Sequence, residues 1–244
     1  MTAPLTQNKT KSNEEPFLIL GDSISKGVVL DPDNKRYRQI KDSFAGKLSK
    51  DPRLSVLNLS VFGATTTKGL NQIKRYSDDL TGGGIALLQF GGNDCDFDWA
   101  AISKAPEKEH LPQVSLEDFI RQYEQLIDIL QQRGYRPVLM NLPPLVHERY
   151  FATLIHGLDN KAVLEWLGGT TETIYWWHES YNDAVEEMAA RRGLPLVDIR
   201  SVFLQQPNVC DFMCEDGIHP NSKGHQLISD VLESYEITQK SSIS

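Results

Sequence analysis

The sequence predicts an α/β domain: a five-stranded parallel sheet covered by helices on both faces. Three observations predict it. Five short apolar runs are each stopped by turn residues, as buried strands are. Helical patterns separate these runs, and strand–helix alternation implies a parallel sheet. No internal repeat and no Pro/Gly/Ser-rich linker divides the chain.

The first run is Phe17–Leu20, ending at Gly21-Asp22-Ser23. The others are Ser55–Leu59, Ile85–Phe90, Pro137–Leu142 and Leu194–Ile199. Helical patterns fall near 36–50, 66–77, 115–133 and 173–192. Ser115 with Asp118 forms a capping arrangement at one helix start. Gly134 and Gly193 sit where helices stop. A last helix over Ser222–Tyr235, capped by Asn221, closes a domain over 16–237. Residues 1–15 are polar and expected to fray, and a second tail is expected at 238–244. Residues 143–172 are too long for a simple crossover and carry Tyr150, Phe151, Trp166 and Gly168-Gly169, with Tyr175-Trp176-Trp177 just beyond. Two readings stay open for this insertion: a helical pair packed on the core, or a lid or wall over the site.

Of the 244 residues, 40% are hydrophobic and 24% charged, as in ordinary globular proteins. The net charge of −8 and the lack of a basic stripe argue against nucleic-acid binding. Three cysteines make no disulfide framework and fit a reducing compartment. No apolar leader and no run of about 18 apolar residues is present. The expectation is a cytoplasmic protein without stable membrane association, with homo-oligomerisation left open. Cys210, Cys214 and His219 lack familiar zinc spacing and a fourth ligand, so neither metal nor cofactor is expected.

In open parallel sheets, ligands bind at strand C-terminal ends. Small and polar residues follow four of the five runs: Gly21-Asp22-Ser23, Asn58–Thr65 containing Gly63, Gly91-Gly92-Asn93-Asp94, and Asp216-Gly-Ile-His219-Pro220 after a loop. A serine hydroxyl needs a neighbouring base, and histidine titrates in the useful range. A carboxylate on the other ring nitrogen would fix its tautomer. Asp216 and His219 are close enough to meet within one tight loop. Ser23 is thus the candidate nucleophile, with the backbone N–H groups of Ser23 and Gly63 and the Asn93 amide as candidate oxyanion donors.

These four blocks, in this order, resemble the SGNH hydrolase family of GDSL-type esterases and lipases, over about 16–235. The resemblance implies a flavodoxin-like three-layer α/β/α sandwich. It also implies Ser23, Asp216 and His219 as catalytic residues and Ser23, Gly63 and Asn93 as the oxyanion hole. The expected activity is hydrolysis of a short acyl ester, an acetyl ester of a carbohydrate or other small molecule, through an acyl-enzyme. Lysophospholipase, thioesterase or acyltransferase activity on the same site are alternatives, and a catalytically silent ligand-binding module is a different class. Asp22 is read as hydrogen-bonding loop backbone and is also a candidate substrate contact, with His147, Arg149, Trp176 and Trp177.

Overall fold

The computed structural model describes residues 14–240. Its main sheet has five parallel strands: β1 (Glu15–Gly21), β4 (Leu54–Asn58), β5 (Gly84–Gln89), β6 (Tyr135–Met140) and β7 (Leu196–Val197). They lie side by side in the order β4-β1-β5-β6-β7. Phe17 of β1 faces Val56 on one side and Ile85 on the other.

The apolar runs are continuous because both faces of this sheet are covered. Alternation along β1 sends Leu18 and Leu20 into one core, and Phe17 and Ile19 into a second. Ala86 and Leu88 of β5 join the first core, and Leu87 the second. Helices α3 (Thr66–Arg75), α5 (Leu116–Gln132) and α8 (Glu172–Arg192) cover the first face, through side chains such as Ile73, Tyr123 and Val185. Helices α2 (Phe44–Leu48), α9 (Ile199–Leu204) and α10 (Ser222–Lys240) cover the other, through Phe44, Phe203 and Ile228. The result is the expected α/β/α sandwich. β1 is flanked by the strands that follow it second and third in the sheet's chain order. This is the topological switch point, where crevices open at strand C-terminal ends.

The helix stops and starts follow the expected chemistry. Ser115 Oγ accepts the Asp118 N–H at 3.2 Å. Gly193 takes the left-handed conformation as a C-cap, φ 61°. Asn221 accepts the N–H groups of Lys223 and Gly224 at 2.9 and 3.1 Å.

Several elements differ from expectation. The helix expected over 36–50 shrinks to α2, capped by Ser43. Before it, β2 (Val28–Leu30) and β3 (Tyr37–Gln39) pair antiparallel. Turn chemistry wins there: Asp31 accepts the Asp33 N–H at 3.0 Å and reverses the chain. Asp98 caps an unforeseen short helix, α4 (Trp99–Lys104). Glu15 already lies in β1, and α10 runs into the tail expected from 238. Residues 1–13 and 241–244 lie outside the described residues.

Residues 143–172 fold as two helices, α6 (His147–Leu154) and α7 (Asn160–Trp166), around Leu145, Val163 and Leu167. This pair does more than cover the core, because it grips the chain around Gly217. The Val146 N–H donates to the Gly217 carbonyl at 2.9 Å. Arg149 donates to the carbonyls of Cys210 and Met213 at 2.9 and 3.3 Å. Gly217 has φ 76°, and a Cβ there would lie 2.4 Å from the Val146 carbonyl oxygen. Gly217→Ala therefore combines backbone strain with a clash. It should lower unfolding free energy by about 2–3 kcal/mol, measured by urea denaturation. A wild-type midpoint would contradict the docking.

Candidate active site

Ser23 opens the four-residue helix α1 (Ser23–Lys26) directly after β1. Asp22 caps that helix by accepting the Ile24 N–H at 2.8 Å. Far along the chain, a tight loop brings Asp216 and His219 to the same place. The Ser23 hydroxyl lies 2.8 Å from His219 Nε2, and His219 Nδ1 lies 2.7 Å from Asp216 Oδ2. A carboxylate only accepts, so Nδ1 carries the proton and Nε2 is left to accept from Ser23. All three residues are buried.

Burial alone would raise the Asp216 carboxyl. Its net shift is downward, because the His219 ring and the backbone N–H groups of His219 and Ile218 bind the charged form. This arrangement can accept a proton from Ser23 as its oxygen attacks a carbonyl, and return it to a leaving group.

Gly63 and Asn93 line the same cavity as Ser23 and His219. No described protein acceptor takes the N–H of Ser23 or of Gly63. Gly63 has φ 64°, and Lys68 Nζ donates to its carbonyl at 2.6 Å, fixing that peptide. Asn93 Nδ2 donates to Asp22 Oδ2 at 3.3 Å. Asp94, next in the chain, accepts the Thr66 N–H and hydroxyl at 2.8 and 2.6 Å, tying this loop to α3. The sequence blocks thus converge at one rim.

The residues expected to contact substrate separate in the structure. Trp177 lines the cavity, and its indole N–H donates to the Cys95 carbonyl at 2.9 Å. Trp176, the next residue back, is 65% exposed and lies outside the cavity lining. His147 pairs with Thr171 at 2.9 Å, and Arg149 is spent on backbone carbonyls, so neither lines the cavity. Asp22 touches the cavity, but its oxygens are taken by Ile24, Gln89 and Asn93. Burial, opposed by the bonds from Ile24 and Gln89, pushes its carboxyl up to about 6.

What the sequence left unassigned is the wall. The cavity is about 480 Å³, and Phe97, Trp99, Tyr150, Trp166, Ile174 and Ile218 line much of it. Phe97 packs against Trp166 and Trp177 with centroids 5.1 and 5.4 Å apart. Tyr150 donates to Asp96 at 2.6 Å, as does Trp99 at 2.8 Å. Tyr37 and Phe62 sit at the mouth, their rings 5.1 and 6.1 Å from the His219 ring. The signals for this wall were the aromatics of the insertion and the Phe97–Trp99 pair just past Asn93.

Solved structures resemble this fold. A lipase/acylhydrolase from Enterococcus faecalis matches with a TM-score of 0.61 at 16% identity, covering 89% of this chain and 93% of that one. An extracellular lipase from Streptomyces rimosus matches with a TM-score of 0.58 at 19% identity, covering 90% and 99%. In sequence, the chain is 24% identical over 216 residues to YqeF, an uncharacterized lipoprotein of Bacillus subtilis, covering 80% of this chain and 78% of that protein. That relative overturns the expectation of a cytoplasmic protein, which rested on three cysteines and on the lack of an apolar leader or membrane-length run. Among the described residues no helix is long and apolar enough to cross a membrane. The model of the GDSL-like lipase/acylhydrolase family matches residues 19–227. Most of the chain is thereby accounted for, and the protein belongs to the GDSL-like lipase/acylhydrolase family of serine ester hydrolases.

Proposed function

We propose that this hydrolase cleaves esters of an apolar acyl group larger than acetyl, with Ser23 as nucleophile and His219 as its base and acid. Asp216 holds the imidazole and stabilises it when charged. The Ser23 and Gly63 N–H groups and the Asn93 amide receive the oxyanion. The observation that carries this reading is the continuous path Asp216–His219–Ser23, with distances of 2.7 and 2.8 Å, opening on one aromatic-lined cavity.

The acyl preference follows from the cavity. Its volume falls within the range of about 300–1,000 Å³ typical of pockets for drug-sized ligands. The acetyl group of the carbohydrate ester expected from sequence would touch little of the aromatic wall. Each buried methylene contributes about 0.8 kcal/mol. Lengthening the acyl chain should therefore raise kcat/KM until the wall is reached. Asp22 holds Asn93 and the start of α1, so it positions the oxyanion donors without touching the reacting atoms.

Three outcomes test this. Ser23→Ala should lose turnover by on the order of 10⁴-fold or more while keeping its melting temperature; full activity would refute the nucleophile. On nitrophenyl esters of graded length, kcat/KM should rise by about fourfold per methylene beyond acetyl. An optimum at acetyl would refute the acyl class. The third concerns Asp22, whose carboxyl binds its proton more tightly folded than unfolded. The ionised form then costs stability, by about 3 kcal/mol, setting in as pH rises from about 4 through about 6. Between about pH 3 and about pH 7, urea denaturation should shift the wild-type versus Asp22→Asn difference in the variant's favour by that amount. A pH-independent difference would contradict the assignment.

A further inference from the structure

Most polar side chains on the cavity wall have partners within the protein, such as Asp96, His110 and Thr173, and one does not. His178, on α8, is only 6% exposed and lines the cavity. Its Nδ1 is sealed from solvent without a hydrogen-bond partner. No described residue bonds its Nε2 either. Buried polar groups are nearly always paired; Nδ1 lies out of a ligand's reach, and Nε2, which is not sealed, is the nitrogen that a molecule in the cavity can meet. His225 has the same deficit, on both nitrogens, but does not line this cavity.

The charge state of His178 is set by its surroundings. Burial, with the Arg200 charge added, holds its pKa down at about 3, so the ring is neutral. Arg200 is itself fixed by an ion pair with Glu179 and lies 5.2 Å over the Tyr175 ring. A neutral imidazole offers one N–H and one lone pair, suited to a hydroxyl rather than to an ion.

Position decides which part of the substrate this edge meets. His219 returns its proton to the leaving group, so that group lies beside Tyr37 and Phe62. His178 belongs to the other wall, next to Trp177 in sequence and among the residues over the end of β6. The Leu142 N–H there donates to Asn182, one turn further along α8, at 3.1 Å. β6 is two strands from β1, about 10 Å across the sheet. With the leaving group at His219, the acyl chain is the part of the substrate left to run along this wall.

We propose that His178 is a specificity-determining residue that hydrogen-bonds a hydroxyl carried on the acyl chain, making hydroxyacyl esters the preferred substrates. The proposal rests on the esterase reading above. It is tested with nitrophenyl esters of straight-chain acids, paired with and without a hydroxyl at successive positions. At one position, wild type should favour the hydroxylated ester by about tenfold in kcat/KM, the value of one net hydrogen bond. His178→Leu should bring that ratio to unity or below, and His178→Gln should retain part of it. A wild-type ratio at or below unity at every position would overturn the proposal, as would an unchanged ratio in His178→Leu. If the leucine variant does not fold, the wild-type ratio and the glutamine variant decide alone. Failure to cleave any ester would instead sink the esterase reading, and this proposal with it.

Discussion

Asp216 is a carboxylate fully enclosed by protein that nevertheless keeps its charge, and the site depends on this. Enclosure penalises a lone charge heavily unless it is hydrogen-bonded. Here the His219 ring supplies one donor, and the backbone N–H groups of Ile218 and His219 supply two more. The loop can aim those two amides at one oxygen because Gly217 takes a positive φ. The charge then holds the imidazole in the tautomer that leaves Nε2 free for Ser23. Sequence adjacency, loop geometry and electrostatics are here one arrangement.

The helical pair α6–α7 serves that arrangement from two directions. Its N-terminal end grips the 210–217 segment through Val146 and Arg149. Its inner face, with Tyr150 and Trp166, forms part of the cavity wall. The same insertion therefore steadies the loop that carries His219 and shapes the pocket beside it. Asp22 and Asp94 play a comparable double role on the opposite side. Each is buried, and burial pushes each carboxyl up to about 6, against the donors it collects. Each ties the Asn93 loop to a helix start, Asp22 to α1 and Asp94 to α3.

The parts legible in the sequence were those written in local patterns. The strands were readable because a sheet covered on both faces needs unbroken apolar runs, as in Phe17–Leu20. Ser115, Gly193 and Asn221 announced helix ends through capping chemistry. The four polar blocks named the residues that meet at the rim. What stayed hidden depends on long-range contacts. His147 and Arg149 follow β6, as substrate contacts could, yet their partners Thr171 and Cys210 turn them away from the cavity. Trp176 and Trp177 are neighbours in sequence, but successive helix positions point about 100° apart, and only one faces inward. The helix expected over 36–50 failed because the turn at Asp31 lets Tyr37–Gln39 pair with Val28–Leu30 as a hairpin.

The central claim is that Ser23 is the reacting atom's carrier and that Asp216, through His219, makes it so. Labelling with a serine-directed fluorophosphonate, followed by peptide mass mapping, tests this most directly. One adduct per chain is expected, on the peptide containing Ser23, with its rate of formation sharply reduced in Asp216→Asn. An adduct on another residue, or a labelling rate indifferent to Asp216, would contradict the account.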